Sequence, residues 1–134
     1  MAIAIHPFRV EDLHLFDIRP KFQHLLEFDP DQLRSAFEAP YSWTAWADGK
    51  PILCAGIVME TAEAWAIPAS KLGREHLAAS AAVQEHGLKP FNVYEGLPVI
   101  ARVDQSDPIA IRWLRLLGFR HTHGEHWKYD AALT

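Results

Sequence analysis

Asp107-Pro108-Ile109-Ala110-Ile111-Arg112-Trp113-Leu114-Arg115-Leu116-Leu117-Gly118-Phe119 is the stretch that decides the fold, because it encodes a short helix with a marked start, a marked stop and a strand directly behind it. The Asp107 side chain can accept from the free N–H groups of the first turn, and Pro108 suits the first helical position. Gly118 can take the left-handed conformation that ends a helix. Ile109, Trp113 and Leu116/Leu117 fall on one side at helical spacing, which leaves Arg112 and Arg115 for water. A helix with such a stripe must pack on a second element.

A chain of 134 residues has room for one hydrophobic core and is short for two ordinary domains, so a single domain over 1–134 is expected. With 49% hydrophobic and 22% charged residues, and with prolines and glycines spread along it, the chain is globular rather than disordered. A formal charge of −4 and a pI near 6.0 give no broad basic surface, which argues against nucleic acid as the main partner. Cys54 is the single cysteine, so no internal disulfide forms. The start of the sequence shows no charged-then-apolar leader, and no apolar run approaches the ~20 residues of a membrane span. The expected setting is a reducing cytoplasm.

The flanking sequence alternates strand and helix signals. Ala2-Ile3-Ala4-Ile5 reads as a strand stopped by Pro7, and Val10 to Phe16 as a short amphipathic helix. Asp29-Pro30 repeats the cap-plus-proline start, with Leu33, Ala36 and Phe37 as the buried stripe of a helix that ends by Pro40. Tyr41 to Ala47 and Ile52 to Met59 read as strands joined by Asp48-Gly49, a strong hairpin signal. Ala64 to Ile67 is a further strand, and Ser70 to about Glu85 reads as one long helix with Leu72, His76 and Ala79 or Ser80 on one face. Leu97 to Val103 feeds the Asp107 helix, and Phe119 to His123 with His126 to Tyr129 forms a terminal hairpin around Gly124.

The spacing of Asp107, Ala110, Trp113, Leu114, Gly118 and Phe119 resembles the C-terminal signature of the GCN5-related N-acetyltransferase (GNAT) superfamily, roughly Asn-x-x-Ala-x-x-(Phe/Leu)-Tyr-x-x-x-Gly-Phe. Pro7-Phe8-Arg9-Val10-Glu11-Asp12-Leu13 looks like the usual GNAT opening, and the order β-α-α-β-β-β-α-β-α-β extends the likeness over almost the whole chain. The resemblance implies an α/β (α+β) GNAT fold with a mixed central sheet of about six to seven strands flanked by about four helices. It also implies acetyl-CoA as cofactor and a small-molecule or protein amine as acceptor.

In the family, the turn after the fourth strand offers backbone N–H groups to the CoA pyrophosphate, an anion suited to a helix N-terminus. The matching place here is Ile67-Pro68-Ala69-Ser70-Lys71-Leu72-Gly73-Arg74, with one glycine, two basic residues and a hydroxyl. The resemblance thus selects Ile67, Ala69, Ser70, Lys71, Leu72, Gly73, Arg74 and Asp107, which stands at the signature's Asn, as cofactor contacts. The bland alternative is an ordinary strand-to-helix turn capped by Ser70. Transfer requires that the amine lose a proton and the leaving thiolate gain one. Glu60 and Glu63 lie where a family base can sit, and the bland reading makes them solvated hairpin-end residues. Leu114 replaces the signature tyrosine that protonates the thiolate, and Tyr94, Ser106 and Tyr129 are the nearest hydroxyls.

His121 and His123 alternate along a strand and so share a face, yet their spacing fits no common zinc pattern, and no metal is assigned. Trp65 and Trp113 lie in apolar stripes and read as core. Trp65-Ala66-Ile67-Pro68-Ala69-Ser70 and Trp113-Leu114 resemble a branch of GNAT-like proteins of tailed bacteriophages, the internal virion protein type among them. That likeness implies a phage or prophage origin. Its rival reading is a catalytically inactive GNAT-fold virion or host-interaction protein, alone or as a homodimer.

Overall fold

A computed structural model describes residues 3–71, 73 and 75–130. Ile3–Pro7 (β1), Ser42–Ala47 (β2), Lys50–Val58 (β3), Glu63–Pro68 (β4), Val99–Arg102 (β5), Arg120–His123 (β6) and His126–Tyr129 (β7) form a seven-stranded sheet in the order β1-β2-β3-β4-β5-β7-β6. Neighbours are antiparallel except β4 and β5, which run parallel. The helices are Pro30–Phe37 (α1), Glu75–Val83 (α2), Lys89–Glu95 (α3) and Pro108–Leu117 (α4), with 3-10 helices at Val10–His14 and Pro20–Glu27 and a π turn at Gln84–Leu88.

Local chemistry fixes the junctions. Asp48 (φ 52°) and Gly49 (φ 78°) make the two-residue turn between β2 and β3, as the Asp-Gly pair predicts. Asp29 accepts from the Asp31 N–H at the start of α1, and Asp107 from the Ala110 N–H at the start of α4. Gly118 closes α4 at φ 98°.

The sheet is covered on both faces. On one side Cys54 and Ile67 pack with Phe8, Val10, Leu13, Ile18 and Leu33 under the 3-10 helices and α1. On the other, Leu53 and Ala55 meet Ala79 of α2, while Ile57 joins Phe91, Val99, Leu117, Phe119 and Tyr129. A central strand buried from both sides explains why β3 reads as a continuous apolar run.

Two expectations are corrected. The stripe of α4 is shifted by one residue: Ile109 and Leu116 are 58% and 46% exposed, and Ala110, Trp113, Leu114 and Leu117 face the core. The helix expected over Ser70–Glu85 starts only at Glu75, then passes through the π turn into α3. Pro90 has no N–H to continue an α-helical ladder, and the wider turn absorbs the break. It also lets the Gln84 amide donate to the Leu117 carbonyl at 2.6 Å and sets Gly87 against the Trp43 indole, where a Cβ would lie 2.7 Å from ring atoms. The 3-10 helix at Pro20–Glu27 and α3 carried no clear periodic signal and are additions to the expected order.

Gly118→Ala forces the left-handed conformation on an L-residue and sets a Cβ 3.3 Å from the Tyr129 ring, whereas Gly49→Ala meets open space at a similar φ. Urea denaturation should show a loss of about 1 kcal/mol for Gly49→Ala and a larger one, about 2 kcal/mol, for Gly118→Ala. Equal losses would show that the Tyr129 contact contributes nothing.

Candidate functional site

The parallel junction is the sheet's weak seam. Register between β4 and β5 is defined at one pair, Glu63 opposite Ile100, supported by the Ile100 N–H donating to the Ala62 carbonyl at 2.8 Å. Arg102 adds a bidentate bond across it, Nε to Glu63 Oε1 and Nη2 to Oε2, both at 3.1 Å. Beyond Glu63 no further β4–β5 pair is formed among the described residues, so the facing edges towards the C-terminal ends are left without ladder bonds to each other. The Ala69 N–H donates to the Ile52 carbonyl, so in this register Trp65 and Ile67 direct their peptide groups to β3. Ala66 presents its N–H and carbonyl to the opening and Ala64 its carbonyl, the Ala64 N–H being used in the single parallel pair with Ile100.

Trp113 of α4 lies on the face of this seam that α2 covers. It packs against the buried residues of both clusters there, and its Nε1 donates to Ser80 Oγ at 2.7 Å. Ser80 in turn donates to the His76 carbonyl at 2.8 Å. Trp65 points to the opposite face, between Phe8 and Phe37 and over Gly56, where a Cβ would lie 2.8 Å from its ring.

A strap, residues 17–21, runs across the C-terminal ends of the two strands. Ile18 bridges to Ala69, the Arg19 N–H donates to the Pro68 carbonyl at 2.9 Å, and the Ser70 N–H donates to the Asp17 carbonyl at 2.8 Å. The Ser70 hydroxyl adds a 2.7 Å bond to the Asp17 carboxylate. At the other end, Arg19 Nη2 and Lys21 Nζ each lie 3.0 Å from one oxygen of Asp107. Burial pushes the Asp107 carboxyl up, but the bonds from Arg19, Lys21 and the Ala110 N–H outweigh it and hold its pKa at about 2.

The expected cofactor contacts are thus partly gathered and partly committed. Ile67 is buried in the core, Ala69 and Ser70 are bonded to Ile52 and the strap, and Lys71 is exposed. Gly73 accepts from the His76 N–H and has room for a side chain, since a Cβ would stand 3.5 Å from the Glu75 carboxylate. Leu72 and Arg74 lie outside the described residues. Asp107 faces the same end of the sheet as Ser70, joined to it through the strap. Glu60 is exposed in the β3–β4 turn, and Glu63 is bound to Arg102. Glu63 stands about 17 Å along β4 from Pro68, at the closed end of the seam.

The hydroxyl groups are scattered. Tyr129 is buried, with its pKa raised by burial and then by Asp130; Tyr94 on α3 is 79% exposed; Ser106 donates to Asp104. Leu114 packs against the main core. The Cys54 thiol is pushed up to about 12 by burial, which removes it as a nucleophile. His121 and His123 do not act together, because the β6–β7 register shifts between them. His121 lies 2.8 Å from the Gly124 carbonyl, while His123 stacks on His126 at 4.8 Å. Among the described residues no three metal-binding side chains converge, and no helix is long and apolar enough to cross a membrane.

Arg19, Lys21, Asp17 and Arg102 escaped the sequence reading. Arg19-Pro20-Lys21 shows only as two cations around a proline, with no motif to select them.

No family model matches the sequence, and no curated protein matches it. Solved structures do resemble the fold. A GNAT-family acetyltransferase from Bacillus anthracis is 14% identical, with TM-score 0.65 over 96% of this chain and 92% of that one. The ribosomal-protein-S18-alanine N-acetyltransferase of Escherichia coli is 17% identical, with TM-score 0.62 over 96% and 90%. The PaiA N-acetyltransferase of Thermoplasma acidophilum, solved with coenzyme A, is 13% identical, with TM-score 0.60 over 96% and 97%. The chain has the GNAT fold.

Because the Asp107 pKa is lower folded than unfolded, its stabilisation is full above the unfolded value of 3.8 and is lost as pH falls towards about 2. Between about pH 5 and pH 2 the parent should lose about 2 kcal/mol more than Asp107→Asn, which keeps a capping oxygen and cannot titrate. Parallel acid curves in urea denaturation would show that the ion pairs add nothing.

Proposed function

We propose that the chain binds acetyl-CoA at the β4–β5 opening and is an acetyl-transfer protein of GNAT type, acting on an amine of a small molecule or a protein. The observation that carries this reading is that the parallel β4–β5 ladder stops after a single pair among the described residues, in a fold whose solved examples include coenzyme A complexes. Crevices at the carboxyl ends of parallel strands are where open sheets take ligands. Ala66 turns its peptide N–H and carbonyl, and Ala64 its carbonyl, into the opening, partners suited to an amide-bearing chain. Ser70, Lys71 and Gly73 follow at the mouth.

Acetyl-CoA would supply a thioester. In the transfer the amine nitrogen bonds the acetyl carbon, the C–S bond breaks, and one proton must leave the amine while one reaches the sulfur. Glu60 and Glu63 are the carboxylates at the closed end of the seam. Glu63 is fixed by Arg102, and Glu60 in the exposed turn is the freer of the two to take the amine's proton. At the signature tyrosine position Leu114 has no proton to give.

A second reading has its own support. Leu114 sits in apolar packing and the turn after β4 is bonded to the strap, as suits a GNAT fold retained without catalysis. The Trp65–Ser70 strand and turn and the Trp113-Leu114 pair then favour a phage-encoded virion or host-interaction module.

Acetyl-CoA at ~100-fold over its dissociation constant should stabilise the parent by about 2.7 kcal/mol, seen as a rise of several degrees in Tm. An unchanged Tm at millimolar acetyl-CoA would reject the first reading in favour of the second.

A further inference from the structure

We propose that Arg19 and Lys21 form an anion clamp for the phosphate groups of a ligand entering the β4–β5 opening, and that Asp107 fills this clamp in the closed molecule. The proposal deepens the acetyl-CoA reading and rests on it for the identity of the ligand, though not for the anion chemistry. It assigns the charge-binding role to a segment outside the strand–turn–helix that the family resemblance selects.

The first three residues at the end of β4, Pro68 to Ser70, have no donor left to offer. Pro68 has none, the Ala69 N–H is bound to Ile52, and the Ser70 N–H and hydroxyl are bound to Asp17. Positive charge at this mouth must then come from side chains. Arg19 and Lys21 leave the strap to meet the two oxygens of one carboxylate, each at 3.0 Å, an arrangement that two oxygens of a phosphate can satisfy equally. The pair is also placed at the opening. The Arg19 N–H is bonded to the last residue of β4, and Asp107 begins the helix that follows β5, so the clamp spans the carboxyl ends of the parallel strands.

The other carboxylate near Lys21, Asp104, already accepts from the Ser106 N–H and hydroxyl. Exchange of Asp107 for a phosphate keeps both charge-assisted bonds. It leaves Asp107 its role at the start of α4, where Ala110 donates to it at 3.2 Å.

Asp107→Asn separates the two roles, since asparagine caps a helix as well as aspartate does but carries no charge to fill the clamp. Calorimetry at low ionic strength, with inorganic pyrophosphate as probe, should find Asp107→Asn binding about tenfold or more tighter than the parent. Adding Arg19→Gln or Lys21→Gln to that variant should remove the gain. In the otherwise unaltered protein, Arg19→Gln and Lys21→Gln should each weaken pyrophosphate binding several-fold, a check independent of how Asp107→Asn folds. Equal affinity of parent and Asp107→Asn, or a gain that survives loss of either cation, overturns the clamp.

Coenzyme A in the same series distinguishes the clamp from the reading beneath it. A pyrophosphate gain without coenzyme A binding by any variant supports the clamp and rejects acetyl-CoA as the ligand. Coenzyme A binding that ignores all three positions rejects the clamp and leaves the acetyl-CoA reading in place.

Discussion

Where β4 and β5 lie side by side, the sheet has one register pair, Glu63 opposite Ile100, while β3 and β4 stay in register from Val58–Glu63 to Leu53–Pro68. Neighbouring strands twist by roughly 20–25°. With a ladder of one pair to hold them against that twist, the rest of the two facing edges stays unpaired across the seam among the described residues. The bidentate Glu63–Arg102 pair sits at the fastened end and limits how far the split can travel. The open end exposes an unpaired strand edge, and backbone groups there need partners. The strap, Trp113 and the commitments of Asp107 are all arranged around that edge.

Among the charged contacts the magnitudes differ by setting. Arg34 is bound to Glu11, Asp31 and Glu38, but its side chain is 42% exposed and two of those carboxylates are more so, so water and salt screen the network. The Asp107 side chain is only 11% exposed, takes two cations and caps α4 as well. It is the one carboxylate here whose loss touches a helix start and the closure of the seam together. Its partners come from 88 and 86 residues away in sequence, so it also ties the N-terminal layer to the helix after β5.

Legibility followed the range of each interaction. The caps at Asp29 and Asp107, the Asp48-Gly49 turn and the Gly118 stop are local, and each stands where the sequence places it. The stripe of α4 misled because Ile109 and Leu116 outweigh Ala110 in hydrophobicity, whereas the space over the sheet admits the smaller residue. The π turn depends on Gln84 reaching Leu117 and on Gly87 meeting Trp43, contacts that no window of sequence contains. At the site, Glu63 and Asp107 could be singled out by family likeness, but Arg102, Arg19 and Lys21 are their partners only because of topology. The histidine pair was lost to a register shift, which places His123 against His126 instead of His121.

The two departures from the family pattern differ in kind. Closure of the opening uses the Arg19 N–H to Pro68 bond, the Ser70 N–H to Asp17 bond and the Ser70 hydroxyl to Asp17 bond, each worth about 1 kcal/mol net because water or a ligand can replace it. Together they amount to about 3 kcal/mol, or roughly two decades of apparent affinity for anything that must open the strap. That burden is moderate, and a ligand whose amides and phosphates replace the broken bonds recovers much of it. The absence of a hydroxyl at Leu114 is not subject to such exchange. No rearrangement of this backbone supplies a proton donor at that point of α4, and the side chain there is held by apolar packing. On the proposed reading, the strap therefore weighs less against binding than Leu114 weighs against transfer.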